Sequence, residues 1–327
     1  MSDIQQSNAS AFSMKSMSFF ATPLGVVRLG VVADVDGFDV PVANDEFTVT
    51  GLTREGNEWV RDPLDTQLRP QEQAPGQDAS ADRPSPKLRE IPIQFLCNDP
   101  SLSIRSRLQA FNTRTQRPVC SSDGSGHAKR LGDSGTVDVE CVGPDLCSFA
   151  AQDGVACKFF GRVNFQIRGQ ASSLGQYILR SSSYNTLRTL EAKARQFHAL
   201  LGRRLRGVNF KLVMRSAANA QSQWTPFYFV DLELESGTLV DAARAAKTTA
   251  DAESAGGLAI DELEAVIRNG LDNGPLEGDP TLDLREFFVE QPLKTDQATR
   301  RIEAQRPLPS GNGVLVANFA PTPALHQ

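Results

Sequence analysis

Residues 161–201 read GRVNFQIRGQASSLGQYILRSSSYNTLRTLEAKARQFHALL and decide the fold, because they set two strands directly before one long helix. Apolar and polar residues alternate in GRVNFQIRG, which is the pattern of a half-buried strand, and GQYILRSSS is interpreted as a second strand that ends in a Ser cluster. Apolar residues then recur at the spacing of one helix face, at Leu187, Leu190, Ala194, Phe197, Leu200 and Leu201. This spacing predicts a helix over 185–201, with Asn185 or Thr186 as its N-cap and Gly202 after its last turn.

Short strand-like runs flank this unit on both sides. They are GVVRLGVVADV at 25–35, DEFTVTGL at 45–52, LREIPIQFLC at 88–97, VNFKLVMRS at 208–216 and TPFYFVDLELE at 225–235. Strands joined by short turns around a single strong helix predict an α+β fold, mainly antiparallel β, with one prominent central helix.

Composition divides the chain into a core and two polar ends. Residues 1–20 are rich in Ser, Gln and Asn and predict a disordered arm, and residues 21–236 form the expected α+β core. Within the core, residues 69–86 carry almost no apolar side chains and predict a flexible insert. Residues 237–327 form an acidic tail, expected to be partly helical or disordered. The ranges favoured for its short helices are 242–252 and 260–271.

Four of the five cysteines lie close together, at Cys120, Cys141, Cys147 and Cys157. The stretch 119–158 around them is rich in Gly, Asp and Ser and has too few apolar residues to build its own core. Thiolates are the preferred ligands of tetrahedral structural zinc, and metal binding supplies folding free energy. The four cysteines therefore predict one structural zinc ion that staples a loop region, although the spacing is not CxxC…CxxC.

Other interpretations of these cysteines remain open. Disulfides fit poorly, because the N-terminus lacks an export signal and cytosolic thiols stay reduced. A catalytic cysteine paired with His127 would leave three cysteines unexplained, while His127 could instead replace one cysteine as a ligand. Four independent structural thiols are the remaining possibility.

Nothing in the sequence predicts an enzyme. The phosphate-binding pattern GxxxxGK[ST] is absent, and the three histidines, His127, His198 and His326, are scattered. Asp123, Asp133, Asp138 and Asp145 could suggest a two-metal nuclease, but acidic residues in Gly-rich loops more often form turns. No apolar run approaches the roughly 20 residues that span a bilayer, so the expected location is the cytoplasm.

Charge is distributed unevenly along the chain. The net charge is −5, yet residues 86–216 hold 20 Lys/Arg and 9 Asp/Glu, a net of +11, which leaves −16 for the rest. A basic middle predicts a surface for nucleic acid or for an acidic protein, although solvated charge without a partner is common. The candidate binding residues are Arg162, Arg168, Arg180, Arg188, Arg195, Arg203, Arg204 and Arg206.

The order of motifs resembles a known family. PLGVVRLG and DEFTVTG are followed by RTQRPVCSSDGSGHAKR, then by CVGPDLCSFA and CKFFGRVNF, then by GQYILRSSSYNTLRTL. Together they resemble the recombination directionality factors of phages with large serine integrases, and related proteins of plasmids and integrative elements. The resemblance covers roughly 23–234 and implies a non-catalytic protein that binds the integrase on DNA and turns it from integration to excision. The insert at 69–86 and the acidic tail depart from the family pattern.

Two functions of other classes compete with this hypothesis. A single-stranded nucleic-acid-binding protein would need exposed aromatic side chains for stacking on bases. Its candidates are Phe159, Phe160, Phe165, Tyr177 and Tyr184, with Arg162, Arg168 and Arg180 for phosphates. A metal-dependent hydrolase would need an open coordination position, which four cysteine ligands deny.

Overall fold

The structure is a computed structural model. It describes residues 23–35, 38–56, 58–70, 86–133, 135–220, 222–273, 276 and 282–288. The arm predicted at 1–20, most of the insert predicted at 69–86, and the tail after residue 288 lie outside the described residues.

Twelve strands make up most of the core. They are β1 (Gly25–Val35), β2 (Phe38–Glu55), β3 (Glu58–Arg61), β4 (Glu90–Gln94), β5 (Ile104–Asn112), β6 (Pro118–Ser122), β7 (His127–Gly132), β8 (Gly135–Glu140), β9 (Val155–Ile167), β10 (Tyr177–Ser181), β11 (Phe210–Ala217) and β12 (Phe227–Leu234). The helices are α1 (Pro63–Leu68), α2 (Pro100–Ser103), α3 (Tyr184–Leu200), α4 (Leu239–Ala255) and α5 (Ile260–Asn273), followed by a 3₁₀ turn, Leu284–Glu286. None of the described helices is long and apolar enough to cross a membrane.

The strands form one continuous hydrogen-bonded network with two branches. The main branch runs in the order β3-β2-β1-β10-β9-β5-β6-β7-β8, and every pairing in it is antiparallel except β1 with β10. The end of β9 also pairs with β4, which continues through β11 to β12. The predicted α+β class with mainly antiparallel strands is therefore confirmed.

The main branch presents two faces of different chemistry. Directly paired residues Ile104, Val163, Leu179, Val27 and Val49 form an apolar row that packs into the core with α3. Because successive side chains of a strand point to opposite faces, the residues next to this row face away from α3. We call the face that carries the apolar row the core face and the other the outer face.

Helix α3 confirms the predicted central helix. Leu187, Leu190 and Ala194 are fully buried against the sheet, as the apolar spacing predicts. The predicted N-cap is wrong, because the side chain of Ser183 accepts the hydrogen bond from the Thr186 amide. Ser183 is better placed than Asn185 because its backbone is extended, as an N-cap requires.

Two other predictions of local structure need correction. The cysteine region was expected to be loops, but β6, β7 and β8 form an antiparallel meander there. Such a meander needs little core of its own, because it extends an existing sheet edge at β5. The two tail helices exist and are longer than predicted, since α4 begins with a Thr238–Asp241 capping box and the two helices bury Ala246 and Leu271 against the core.

Candidate cysteine site and partner-binding face

The four clustered cysteines meet at one place on the core face. Arg130, Cys120, Ala110 and Cys157 form a direct cross-strand row over β7, β6, β5 and β9. Strand geometry thus turns Cys120 and Cys157 toward the same side, with only the small side chain of Ala110 between them.

The segment after β8 folds over this row. Cys141 is fixed by its amide, which donates to the carbonyl of Gly126 at 2.8 Å. Further along, Cys147 Sγ lies 3.8 Å from a guanidinium nitrogen of Arg130, and the same guanidinium lies 4.2 Å from the ring centroid of Phe149. Arg130 therefore anchors the covering segment to the sheet.

All four thiols line a small, nearly apolar cavity of about 20 Å³. A space of this size holds one water-sized occupant, and four thiols are the donors that zinc prefers. All four are free and half-buried. Burial and the neighbouring cysteines raise the pKa of Cys157 to about 11, while Arg130 acts in the opposite direction. The chemistry of the donors and the size of the cavity fit a single metal ion.

The thiols surround this cavity without converging on it. Among the described residues, no three His, Cys, Asp or Glu side chains stand close enough together to hold a metal ion as they are placed. His127 is exposed at the start of β7 and does not line the cavity. The four aspartates considered for a two-metal site, Asp123, Asp133, Asp138 and Asp145, are all exposed, and Asp138 pairs with Lys129.

The outer face carries a row of arginines. Arg105, Arg162 and Arg180 are direct cross-strand partners on β5, β9 and β10, and Arg28 follows on β1 beside Arg180. Arg180 is 3% exposed and Arg28 is 7% exposed. Four adjacent guanidinium groups in one row need anionic partners, because burial and mutual repulsion both disfavour their charge.

The other predicted arginines differ in their ion-pair partners and in their exposure to solvent. Arg168 pairs with Glu235, Arg195 pairs with Glu191 one turn earlier on α3, and Arg206 bonds Glu253 of α4 and the carbonyl of Leu96. Arg188 and Arg203 are exposed, and neither has an ion-pair partner among the described residues. Arg204 is half-buried, with one guanidinium nitrogen buried and unbonded in the part of the chain that the structure describes. The predicted set is thus not one surface.

Most aromatic residues proposed for base stacking are not accessible. Phe160, Phe165 and Tyr177 are buried, and Phe159 is half-buried with its ring 5.8 Å from that of Tyr184. Tyr184 alone among the five candidates is exposed, at 42%. One exposed ring does not provide a stacking platform for a single strand.

A comparison with known protein families finds a match that covers nearly the whole core. A model described as Gp3-like, recombination directionality factor-like, matches residues 24–235. The chain belongs to this family. The match confirms the resemblance carried by the motifs between PLGVVRLG and GQYILRSSSYNTLRTL, and it includes every strand of the fold. No curated protein and no solved structure matches the chain.

Several outer-face residues of this directionality-factor-like core escaped the sequence interpretation. They are Arg28, Arg54, Trp59, Arg105 and Lys158. One signal was present, since Arg28 stands in the otherwise apolar run VVRLGVV, where a charge requires a partner. A second was the segment LDLREFF at 282–288, which combines acidic and aromatic residues within a polar tail.

Proposed function

We propose that this chain is a non-catalytic accessory protein of mobile-element DNA recombination that binds an integrase, DNA or both. The observation that carries the proposal is the family match over residues 24–235, which spans the complete sheet. The exposed cations of the basic middle region support it, because both DNA and an acidic protein surface attract them.

We further propose that Cys120, Cys141, Cys147 and Cys157 hold one structural zinc ion. The common cavity and the placement of Arg130 support this assignment, since Arg130 offsets the negative charge of four thiolates around one dication. The ion would stabilise the fold by drawing the segment 141–154 onto the sheet. Four cysteine ligands leave no open coordination position, so the site would serve folding and not hydrolysis.

The recombination role has a direct test. We expect the purified protein, added to the large serine integrase of the same mobile element, to switch on recombination between the two hybrid attachment sites and to suppress integration. The protein alone should cleave no DNA. The measurement is product formation on plasmid substrates, with and without a stoichiometric excess of the protein. Unchanged recombination in both directions would refute the role.

The two exposed, unpaired arginines test whether α3 and its following loop contact the partner. If this surface meets DNA phosphates, the double change Arg188→Glu with Arg203→Glu should weaken binding at all sequences and flatten the dependence of log affinity on log salt by about 2, because each lost contact releases one fewer counterion. A gel-shift series over salt concentration measures both effects.

The matched control is Arg244→Glu, which reverses an exposed arginine on α4, outside the residues that match the family. It should bind as the wild type does. If the double variant and the control behave alike in gel shifts and in pull-downs with the integrase, this surface does not contact the partner.

A further inference from the structure

A groove on the outer face is filled by a segment remote in sequence. Residues 282–288, which we call the C-terminal segment, lie across β1, β3, β5 and β9. The groove that receives them is formed by Arg28, Arg54, Trp59, Phe111, Lys158 and Phe160.

One end of the groove recognises carboxylates. Glu286 forms an ion pair with Arg28 and accepts a hydrogen bond from Trp59 Nε1 at 3.0 Å. Asp283 pairs with Arg54 at 2.5 Å. The indole of Trp59 holds both cations in place, because the guanidinium carbons of Arg28 and Arg54 lie 4.2 Å and 4.4 Å from its ring centroid.

The other end recognises aromatic side chains and backbone. The ring of Phe287 meets that of Phe160 edge to face at 5.1 Å, and Phe288 lies 6.2 Å from Phe111. Lys158 donates to the carbonyl oxygen of Phe287 at 2.8 Å. Two carboxylates, a pair of phenyl rings and a main-chain carbonyl are features of a peptide, whereas a nucleic acid carries phosphates and polar heterocycles instead of carboxylates and phenyl rings.

The present occupant does not use everything that the groove offers. The Nη2 atom of Arg28 is buried and has no hydrogen-bond partner among the described residues. A cavity of about 90 Å³ extends from Glu286 to Arg180 and Ser182. Burial lowers the pKa of Arg28 to about 10 and raises the pKa of Glu286, so desolvation opposes this contact. A ligand that fills this cavity and accepts a hydrogen bond from the Nη2 atom of Arg28 would bind the groove more tightly than the C-terminal segment does.

The groove lies inside the range that matches the family, and the segment that fills it lies outside that range. Every groove residue lies within the matched range 24–235, whereas the C-terminal segment lies outside it.

We propose that this groove is a docking site for an acidic, phenylalanine-bearing peptide segment of a partner protein, and that residues 282–288 keep it closed within the same chain. The C-terminal segment has the high effective concentration of an intramolecular ligand, so the partner's segment displaces it by offering the same carboxylates and rings with a better fit. The ligand of the groove is defined by its chemistry, so the proposal holds whether or not the partner is a recombination protein.

The test uses the full chain with Glu286→Ala and Phe287→Ala, which removes the carboxylate held by Arg28 and the ring held by Phe160. The probe is a fluorescent synthetic peptide, LDLREFF with blocked ends. Fluorescence anisotropy should show at least about tenfold tighter binding to this opened variant than to the wild type, because the groove is no longer occupied. The peptide with the same two alanine changes should not bind.

The control variant is Asp261→Ala with Glu262→Ala, two exposed acids on α5, which should bind the peptide as weakly as the wild type. A second opened variant, Asp283→Asn with Glu286→Gln, preserves the shape of the segment and should show the same increase if the alanine variant fails to fold. Equal peptide affinity of folded opened variants and wild type would overturn the proposal. So would a folded opened variant that binds a single-stranded oligonucleotide and not the peptide.

Discussion

Replacing any one of Cys120, Cys141, Cys147 and Cys157 by serine is expected to abolish zinc binding and to unfold the region from β6 to the start of β9. Two of these cysteines lie on paired strands, but Cys141 and Cys147 belong to a covering segment with few apolar contacts of its own. Zinc binding contributes on the order of 10 kcal/mol to small structural sites, which is comparable to the whole stability of a typical domain.

Metal analysis by plasma mass spectrometry measures this directly. The wild type should carry about one zinc ion per chain, as a closed four-ligand site requires, and each of the four variants should carry almost none. Cys97→Ser is the matched control, because Cys97 is 3% exposed in a separate apolar cluster with Leu96, Leu102 and Leu271. It should retain its zinc. A wild type that is folded and free of zinc would show that the four thiols are independent structural residues.

The second large effect is expected at Asp65, whose side chain is completely buried in α1. Its carboxylate accepts from the Val49 amide at 2.8 Å and pairs with Arg69 at 2.9 Å and with Arg61 at 3.0 Å. Asp65→Ala should destabilise the fold by about 3–5 kcal/mol, because it leaves the buried Val49 amide without its acceptor and removes one of the two carboxylates paired with the half-buried Arg69. Chemical denaturation measures the difference in the free energy of unfolding.

Asp241→Ala provides the comparison for Asp65. Asp241 also bonds a backbone amide and an arginine, but it is exposed in the capping box of α4. Its loss should destabilise the fold much less than the loss of Asp65, because water replaces the contacts of an exposed carboxylate. Equal destabilisation by the two changes would mean that burial does not determine the strength of the Asp65 contacts. Because Asp65 fastens β2 to α1, its loss should also disturb Arg54 and Trp59 in the groove.

Periodicity made the secondary structure predictable. The apolar stripe of α3 and the alternation in β9 are local patterns, and local patterns survive in the folded protein when one face is buried. The meander β6–β8 was missed because its strands have only five or six residues each, and β7 and β8 are mostly exposed, so the local apolar signal is weak. They pair because β5 offers a free edge, which no local pattern reveals.

The arginine row on the outer face depends on strand register. Arg105, Arg162 and Arg180 lie far apart in sequence, and only the alignment of β5, β9 and β10 brings them into one row. Charge counting found a basic region and named Arg162 and Arg180 among its candidates, but it could not separate them from Arg195 and Arg206, which have partners of their own. The clustering of the four cysteines in sequence favoured a common location, and all four line one cavity, although no three described ligating side chains stand close enough to hold a metal ion as placed.

The parallel pairing of β1 with β10 has a consequence for synthesis on the ribosome. Gly25 pairs with Tyr177, so β1 emerges about 150 residues before the strand that completes its ladder. At roughly 5–20 residues per second, one edge of the nascent β1–β2 hairpin waits about 8–30 s with its amides and carbonyls unpaired. During that interval the unfinished chain exposes a ready template for intermolecular pairing. Crowded polysomes translating this message should therefore depend on nascent-chain chaperones more than the stability of the finished protein would suggest.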